Sequence, residues 1–253
     1  MKRGLAILAE FTPERPLLGI AELAERLDMS RPTTHRYVST LVSLGYLEQE
    51  DASRKYRLAL GAVELGAGLN AMGLCMHARP HLHALAHRSG QTAELAVLDG
   101  REILVLDRVR GRPTRRSGTR ESVRAGSRLP AYCTAMGKVL LAYLPAPAQK
   151  RLISEMALTR RSLRTITSAT ALDDQLQDVA SEGLAVEDEE LLEGSCAIAA
   201  PVRDESGDVT AAVGLVACGG HVDAEEIVEH YEGPVFATAR RVSRRIGWRE
   251  DEE

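Results

Sequence analysis

The 253-residue chain holds only four cysteines, Cys75, Cys133, Cys196 and Cys218, with no CxxC pair and no short regular spacing among them. That argues against a zinc ribbon and against a disulfide framework, and it fits a reducing, cytoplasmic home. No apolar run reaches the ~18 residues that span a bilayer. The opening MKRGLAILAEF is too short an apolar segment for a secretory signal, so no membrane association is expected. Charge of one sign is not in large excess either, since 32 Lys and Arg face 36 Asp and Glu for a net charge of −4. Whole-chain electrostatics therefore does not advertise nucleic acid, and any such case rests on local charge. GxSxG, HExxH, a Walker loop and a Ser/His/Asp ordering in suitable context are all missing, so no catalytic residue, metal ligand or cofactor is assigned. What is present is a 44% hydrophobic chain, long enough for one small and one larger compact domain.

The most informative segment is residues 20–58. In IAELAERL, residues Ile20, Leu23, Ala24 and Leu27 recur at i, i+3, i+4 and i+7, one apolar stripe with Glu22, Glu25 and Arg26 on the wet side. Asp28 and Met29 make a short turn, Ser30 is placed to cap a second helix, and Pro32 is tolerated in its first turn. That helix is predicted to run to about Ser43, burying Tyr37, Val38, Leu41 and Leu44 and leaving Arg31, Thr33, Arg36 and Thr40 outward. Every carboxylate of the motif precedes Ser30 or follows Leu47, so the outward surface is positive. GYLEQEDASRKYRL then reads as a hairpin wing bringing Arg54 and Lys55 toward phosphates. A three-helix fragment with merely solvated arginines is the bland alternative. A buried-face helix, a capped acid-free helix and a hairpin in that order favour a winged helix-turn-helix. The expected partner is double-stranded DNA, with Ser30, Arg31, Thr33, Thr34, Arg36, Thr40, Arg54 and Lys55 as contacts. A two-fold protein of this kind would read a pseudopalindromic operator.

Residues 3–11 form a short helix, and TPERPLLG links it to the motif, giving a DNA-binding domain over 1–60. From Gly61 to Ser89 the pattern is helical but weakened by three glycines, so 61–74 reads as a linker and 75–253 as the larger domain. There QTAELAVLDG and REILVLDRVR alternate as strands joined at Asp99-Gly100, a type I′ hairpin signal. Leu129–Leu144 and Leu172–Ser181 read as helices. LAVED, CAIAAPVRD and VTAAVGLVACG read as three more strands, the last two joined by Ser206-Gly207-Asp208. A helix from about Ala224 to Ile246 closes the domain, and the acidic REDEE end frays. Hairpins with helices set apart predict an α+β fold.

Several constellations remain. GAGLNA (66–71) matches GxGxxA but follows no strand and turn. Cys75, His77, His81, His83 and His87 crowd one helix without a suitably spaced carboxylate, so they read as its polar faces, with an opportunistic metal site as the alternative. Cys133 and Cys196 sit among small residues and read as buried hydrophobes lining a pocket at most; their use as nucleophiles is the enzyme alternative. Arg108, Arg110, Arg112, Arg115, Arg116, Arg120, Arg124 and Arg128 face a single acid, Glu121, and read as a solvated hairpin or else an extra anion or DNA-backbone contact.

With the winged motif, LPAYCTAMGKVLLA (129–142), EDEELLEGSCAIAAPVRD (187–204) and AAVGLVACG (211–219), the chain resembles the IclR family of bacterial transcriptional regulators over nearly its full length. RGLAILAEFTPERP and LPAYCTAMGK look most like the subfamily governing protocatechuate and 4-hydroxybenzoate catabolism. The resemblance implies a linker helix, a C-terminal GAF-like effector-binding domain, and dimers often paired into tetramers. It also implies effector contacts at Ala135, Met136, Glu187, Ser195, Ala197, Gly214 and Val216. Gly214 and Val216 depart from strand serines of some members, and Ala197 from a common cysteine or serine. The pocket it implies is less polar than one for small α-keto acids, so the expected effector is an aromatic carboxylate such as a hydroxybenzoate. A few extra residues are expected in the arginine-rich hairpin. A protein-binding scaffold built on the helix-turn-helix is a third reading, in which the acid-free helix would have no purpose.

Overall fold

The computed structural model describes residues 1–12, 15–64, 73–111, 123–218 and 223–249. GAGLNA and residues 112–122 of the arginine-rich stretch, where the extra residues were expected, lie outside them. The chain divides into two compact units, Met1–Met72 and Gly73–Glu253. Leu74, expected in the linker, opens a helix of the second unit.

In the first unit, α1 (Lys2–Ala9), α2 (Ile20–Arg26) and α3 (Arg31–Ser43) precede a hairpin of β1 (Leu47–Gln49) and β2 (Tyr56–Leu58). Ile7, Phe11, Leu18, Leu23, Val38, Leu41, Leu47 and Tyr56 make its core. The predicted α2 stripe is realised at Leu23 and Ala24, which are buried. Leu18 exchanges backbone hydrogen bonds with Tyr56 at 3.0 and 2.9 Å, adding the segment before α2 to the hairpin. Leu44, expected in the buried face, is 61% exposed. It is the C-cap of α3, still helical with its amide donating to the Thr40 carbonyl at 3.0 Å, and it lies at the border of the face that Val38 and Leu41 bury.

In the second unit, α4 (Leu74–Ser89) leads into β3 (Thr92–Asp99), β4 (Glu102–Val109) and β5 (Arg128–Pro130). Next come α5 (Ala135–Ala142), α6 (Ala146–Glu155) and α7 (Ala169–Glu182). Then β6 (Ala185–Asp188), β7 (Ser195–Arg203), β8 (Val209–Cys218) and α8 (Ala224–Arg245) complete it. The sheet is antiparallel throughout, with strand order β5-β4-β3-β8-β7-β6 and short strands at both edges. Helices α4 and α8 cover Ala93, Leu95, Ile198, Val213 and Leu215 on one face. Helix α5, backed by α7, covers Ala96, Ala197, Ala199, Ala212 and Val216 on the other. The architecture is α+β, and because helices lie on both faces, every central strand is buried on both sides.

Three details differ from the sequence reading. Two loop residues, Gly100 and Arg101, separate the paired Asp99 and Glu102. Of these only Gly100 has positive φ, 62°, which suits type II′ rather than I′. The expected helix from Leu129 is three pieces: edge strand β5, a single tight turn at Ala131–Cys133, and α5 from Ala135. Pro130 suits an edge position, and Thr134 stops the turn and caps α5, its Oγ1 accepting from the Gly137 amide at 3.2 Å. Helix α6 was not anticipated.

The chain passes very close to itself at Gly137, where a Cβ would lie 2.2 Å from the Ala131 carbonyl oxygen and 2.5 Å from Thr134 Oγ1. Gly137→Ala is therefore expected to destabilise the protein by about 1 to 3 kcal/mol, the usual cost of overpacking. Urea unfolding of mutant and parent checks this; equal midpoints would show that α5 can move off the turn.

Candidate nucleic-acid interface and ligand site

Helix α3 is set by its cap. Ser30 Oγ accepts from the Thr33 amide at 3.4 Å and donates to Thr33 Oγ1 at 2.8 Å. Val38 and Leu41 are buried, so Arg36 falls on the opposite side of the helix, flanked by Thr33 and Thr40 at i−3 and i+4. Arg31, Arg36 and Thr40 are exposed, and α3 carries no acid. Thr34, expected among the outward residues, is fully buried, and its hydroxyl donates to the Ser30 carbonyl at 3.1 Å. It belongs to the core. His35 and Ser39, which the sequence reading passed over, are exposed on α3 beside Arg36, with His35 Nδ1 and Ser39 Oγ 3.5 Å apart.

The wing is less basic than its sequence. Lys55 Nζ is 3.0 Å from Glu22 Oε1, across to α2, and Arg57 is paired with Glu48 at 2.6 Å. The Gly19 amide first and Lys55 second hold the Glu22 carboxyl below its ordinary range. Arg54 is exposed at the end of the loop, at φ 57°.

In the second unit, the strand register sets Glu187, Ala197 and Val216 in one cross-strand row, and Ala185, Ala199, Gly214 and Glu94 in the next. All seven are buried. These small side chains form a floor beneath the start of α5, and a Cβ on Gly214 would lie 3.0 Å from Met136 Cγ. Ala135 and Met136 open α5 directly above. Glu187 Oε1 accepts from the Leu191 amide at 3.0 Å and from Ser195 Oγ at 3.5 Å. The register and α5 thus bring together Ala135, Met136, Glu187, Ser195, Ala197, Gly214 and Val216. Beside them Lys138, fully buried, donates to the Val186 carbonyl at 3.0 Å and to Glu190.

Residues 1–51 match the IclR helix-turn-helix domain, and residues 66–244 match the family described as bacterial transcriptional regulator IclR C-terminal. The chain belongs to the IclR family. It is similar to the Pca regulon regulatory protein of Pseudomonas putida, 31% identical over 95% of this chain and 81% of that one. It is equally similar to the regulator KdgR of Escherichia coli, 34% identical over 96% and 90%. Among solved structures, an IclR homolog from Microbacterium hydrocarbonoxydans complexed with 4-hydroxybenzoate superposes with a TM-score of 0.85 at 26% identity, covering 96% of this chain and 97% of that one. As an IclR-family protein the chain is a ligand-responsive transcriptional regulator with a DNA-binding helix-turn-helix and an effector-binding domain.

Other singled-out residues of this IclR-family chain fall elsewhere. Arg108, expected on a solvated hairpin, is nearly buried against Glu94 on the neighbouring strand, and Arg128 pairs with Asp99. Among the described residues no group of three or more His, Cys, Asp and Glu could hold a metal ion, and no helix is long and apolar enough to cross a membrane. Burial pushes the Cys133 and Cys196 thiols up to about 12, the reverse of an activated nucleophile. Cys75 and Cys218 are half-buried. At pH 8 an aromatic disulfide reagent is expected to titrate Cys75 and Cys218 in the native protein and Cys133 and Cys196 only after denaturation. Fast labelling of Cys133 or Cys196, read by peptide mass, would favour the enzyme alternative.

Proposed function

We propose that this regulator reads its operator with α3 and answers to a hydroxylated aromatic carboxylate. The observation that carries the DNA half is the Ser30-capped, acid-free α3 with Arg36 at the centre of its outward side. Ser30, Arg31, Thr33, Arg36 and Thr40 are the proposed contacts, with Arg54 touching backbone from the wing and Lys55 held back by Glu22. Specific binding needs two copies, because one recognition helix reads too few base pairs. We take the unit to be a homodimer, with pairing of dimers as its extension. Supporting this, Leu44, Leu58, Leu60 and Val63 of the first unit are 61, 42, 83 and 67% exposed. The Gly61 amide donates to the Gly45 carbonyl at 3.0 Å, which seats the Leu60 end of that stretch beside Leu44.

For the ligand half, the 4-hydroxybenzoate bound by the Microbacterium homolog supports an aromatic acid, as does the likeness to the Pca regulon protein. The proposed lining is apolar at Ala135, Met136, Ala197 and Val216, with Gly214 leaving room for a ring, and polar at Glu187 and Ser195. The first amides of α5 offer a positive dipole end to a carboxylate. With Glu187 already accepting from Leu191 and Ser195, it acts in selectivity rather than as the anchor.

Arg36→Ala should cost about 1 to 3 kcal/mol of operator binding with no loss of thermal stability. Equal affinity would remove Arg36 from the interface. Glu22→Gln should free Lys55 for phosphate and steepen the salt dependence of binding by about one unit, while Arg54→Ala should flatten it by about one. An unchanged slope in Glu22→Gln would mean that Lys55 never reaches DNA. Calorimetry of the full chain should show saturable binding of benzoate-type acids. Tight binding of glyoxylate or pyruvate with none of the aromatics would overturn the ligand class.

A further inference from the structure

Glu94 is a carboxylate with no exposed surface, on the same side of the sheet as the proposed ligand site. Arg108 Nε comes within 3.1 Å of its Oε1, yet neither Glu94 oxygen receives a hydrogen bond. The guanidinium is aimed elsewhere too, Nη1 donating to the Val123 carbonyl. The neighbours across the sheet, Gly214, Ala199 and Ala185, have no side-chain donor to give. A buried acceptor left without a donor is costly, and native proteins rarely leave one so. Its charge, by contrast, is already balanced by Arg108. What Glu94 lacks is therefore a neutral donor, an O–H, rather than a cation.

The surroundings suit a visiting group. Glu94 stands directly opposite Gly214, the one position of the floor with no side chain. The space above Gly214 is filled by Met136, whose Cγ and Sδ lie 3.0 and 3.4 Å from where a Cβ would be. Methionine is unbranched and repacks readily, so its side chain can swing aside for a ligand. Glu187 lies three strands away, roughly 14 Å at ordinary strand spacing, and so marks the other end of the floor.

We infer that Glu94, neutralised by Arg108, is a second polar subsite of the ligand cleft that accepts a hydrogen bond from a ligand hydroxyl and so selects hydroxylated acids over their unsubstituted counterparts. The inference rests on the ligand-site reading above, though not on the ligand being aromatic. A phenol and an aliphatic alcohol offer the same donor, and matched pairs of acids tell them apart.

The experiment is calorimetry of the full chain with 4-hydroxybenzoate against benzoate, and gluconate against hexanoate. In the parent, the hydroxylated member of one pair should bind at least about tenfold more tightly, as the discrimination of a single buried hydrogen bond requires. Glu94→Leu should bring that ratio to within about twofold without weakening the unsubstituted acid, and Glu94→Gln, which keeps one acceptor oxygen, should fall between. Melting curves confirm folding, and if Glu94→Leu does not fold, a ratio at least about threefold smaller in Glu94→Gln carries the result. A hydroxyl preference unchanged in the folded variants, or absent from the parent, overturns the role of Glu94 even if aromatic acids bind. A Glu94-dependent preference in the gluconate pair alone sustains Glu94 and overturns the aromatic ligand. Binding of no probe overturns both.

Discussion

Lys138 places a full charge where no water reaches, and the surrounding structure is arranged to meet it. Its ammonium is held by the Val186 carbonyl, on β6 next to Glu187, and by the Glu190 carboxylate. Burial pushes the Glu190 carboxyl up, and Lys138 draws it part of the way back. The Glu190 carbonyl in turn accepts from Thr165 Oγ1 at 2.7 Å and Ser162 Oγ at 3.4 Å, which fastens the connection between α6 and α7 to the same point. Removing one partner of a buried pair characteristically costs about 3 to 5 kcal/mol, more than most single contacts. Helix α5, edge strand β6 and the 188–195 loop are thus one mechanical assembly, and the start of α5 and Glu187 keep their spacing because of it.

The small-residue floor is the complement of that assembly. Ala185, Ala197, Ala199, Ala212 and Gly214 let α5 approach the sheet closely, which brings backbone amides near the strands at the expense of side-chain volume. As the ligand site proposed above, such a floor would recognise shape and a few polar points, with selectivity falling to the carboxylates at its two ends. Regulation by a ligand then requires that such a site differ between two states of the protein, since a ligand shifts an equilibrium only by its differential affinity.

Much of this was legible in the sequence. The α2 stripe, the Ser30 cap and the hairpin strands all follow from period and turn chemistry, and the family resemblance pointed to the α5 and β6 positions that the proposed ligand site uses. The misses have physical causes. Thr34 reads as polar, yet its hydroxyl is satisfied by the backbone one turn back, which lets its methyl face the core. Glu94 alternates with apolar neighbours in TAELAVLD as if one face of the strand were wet, a pattern that misleads when helices cover both faces. Helix α6, APAQKRLISE, buries only Ile153 and so carries little apolar periodicity to find. The Lys55–Glu22 pair joins residues 33 apart, beyond any local pattern.

The six-stranded sheet ends on β5 and β6, three and four residues long. β5 carries Pro130, which has no amide to donate, and Arg128, whose charge resists a neighbouring strand; β6 ends on Glu187 and Asp188. Among the described residues, both borders are thus short and poor templates for an added strand. The association of copies proposed above would therefore run through side chains, tuned residue by residue, and would not run on into open-ended fibres.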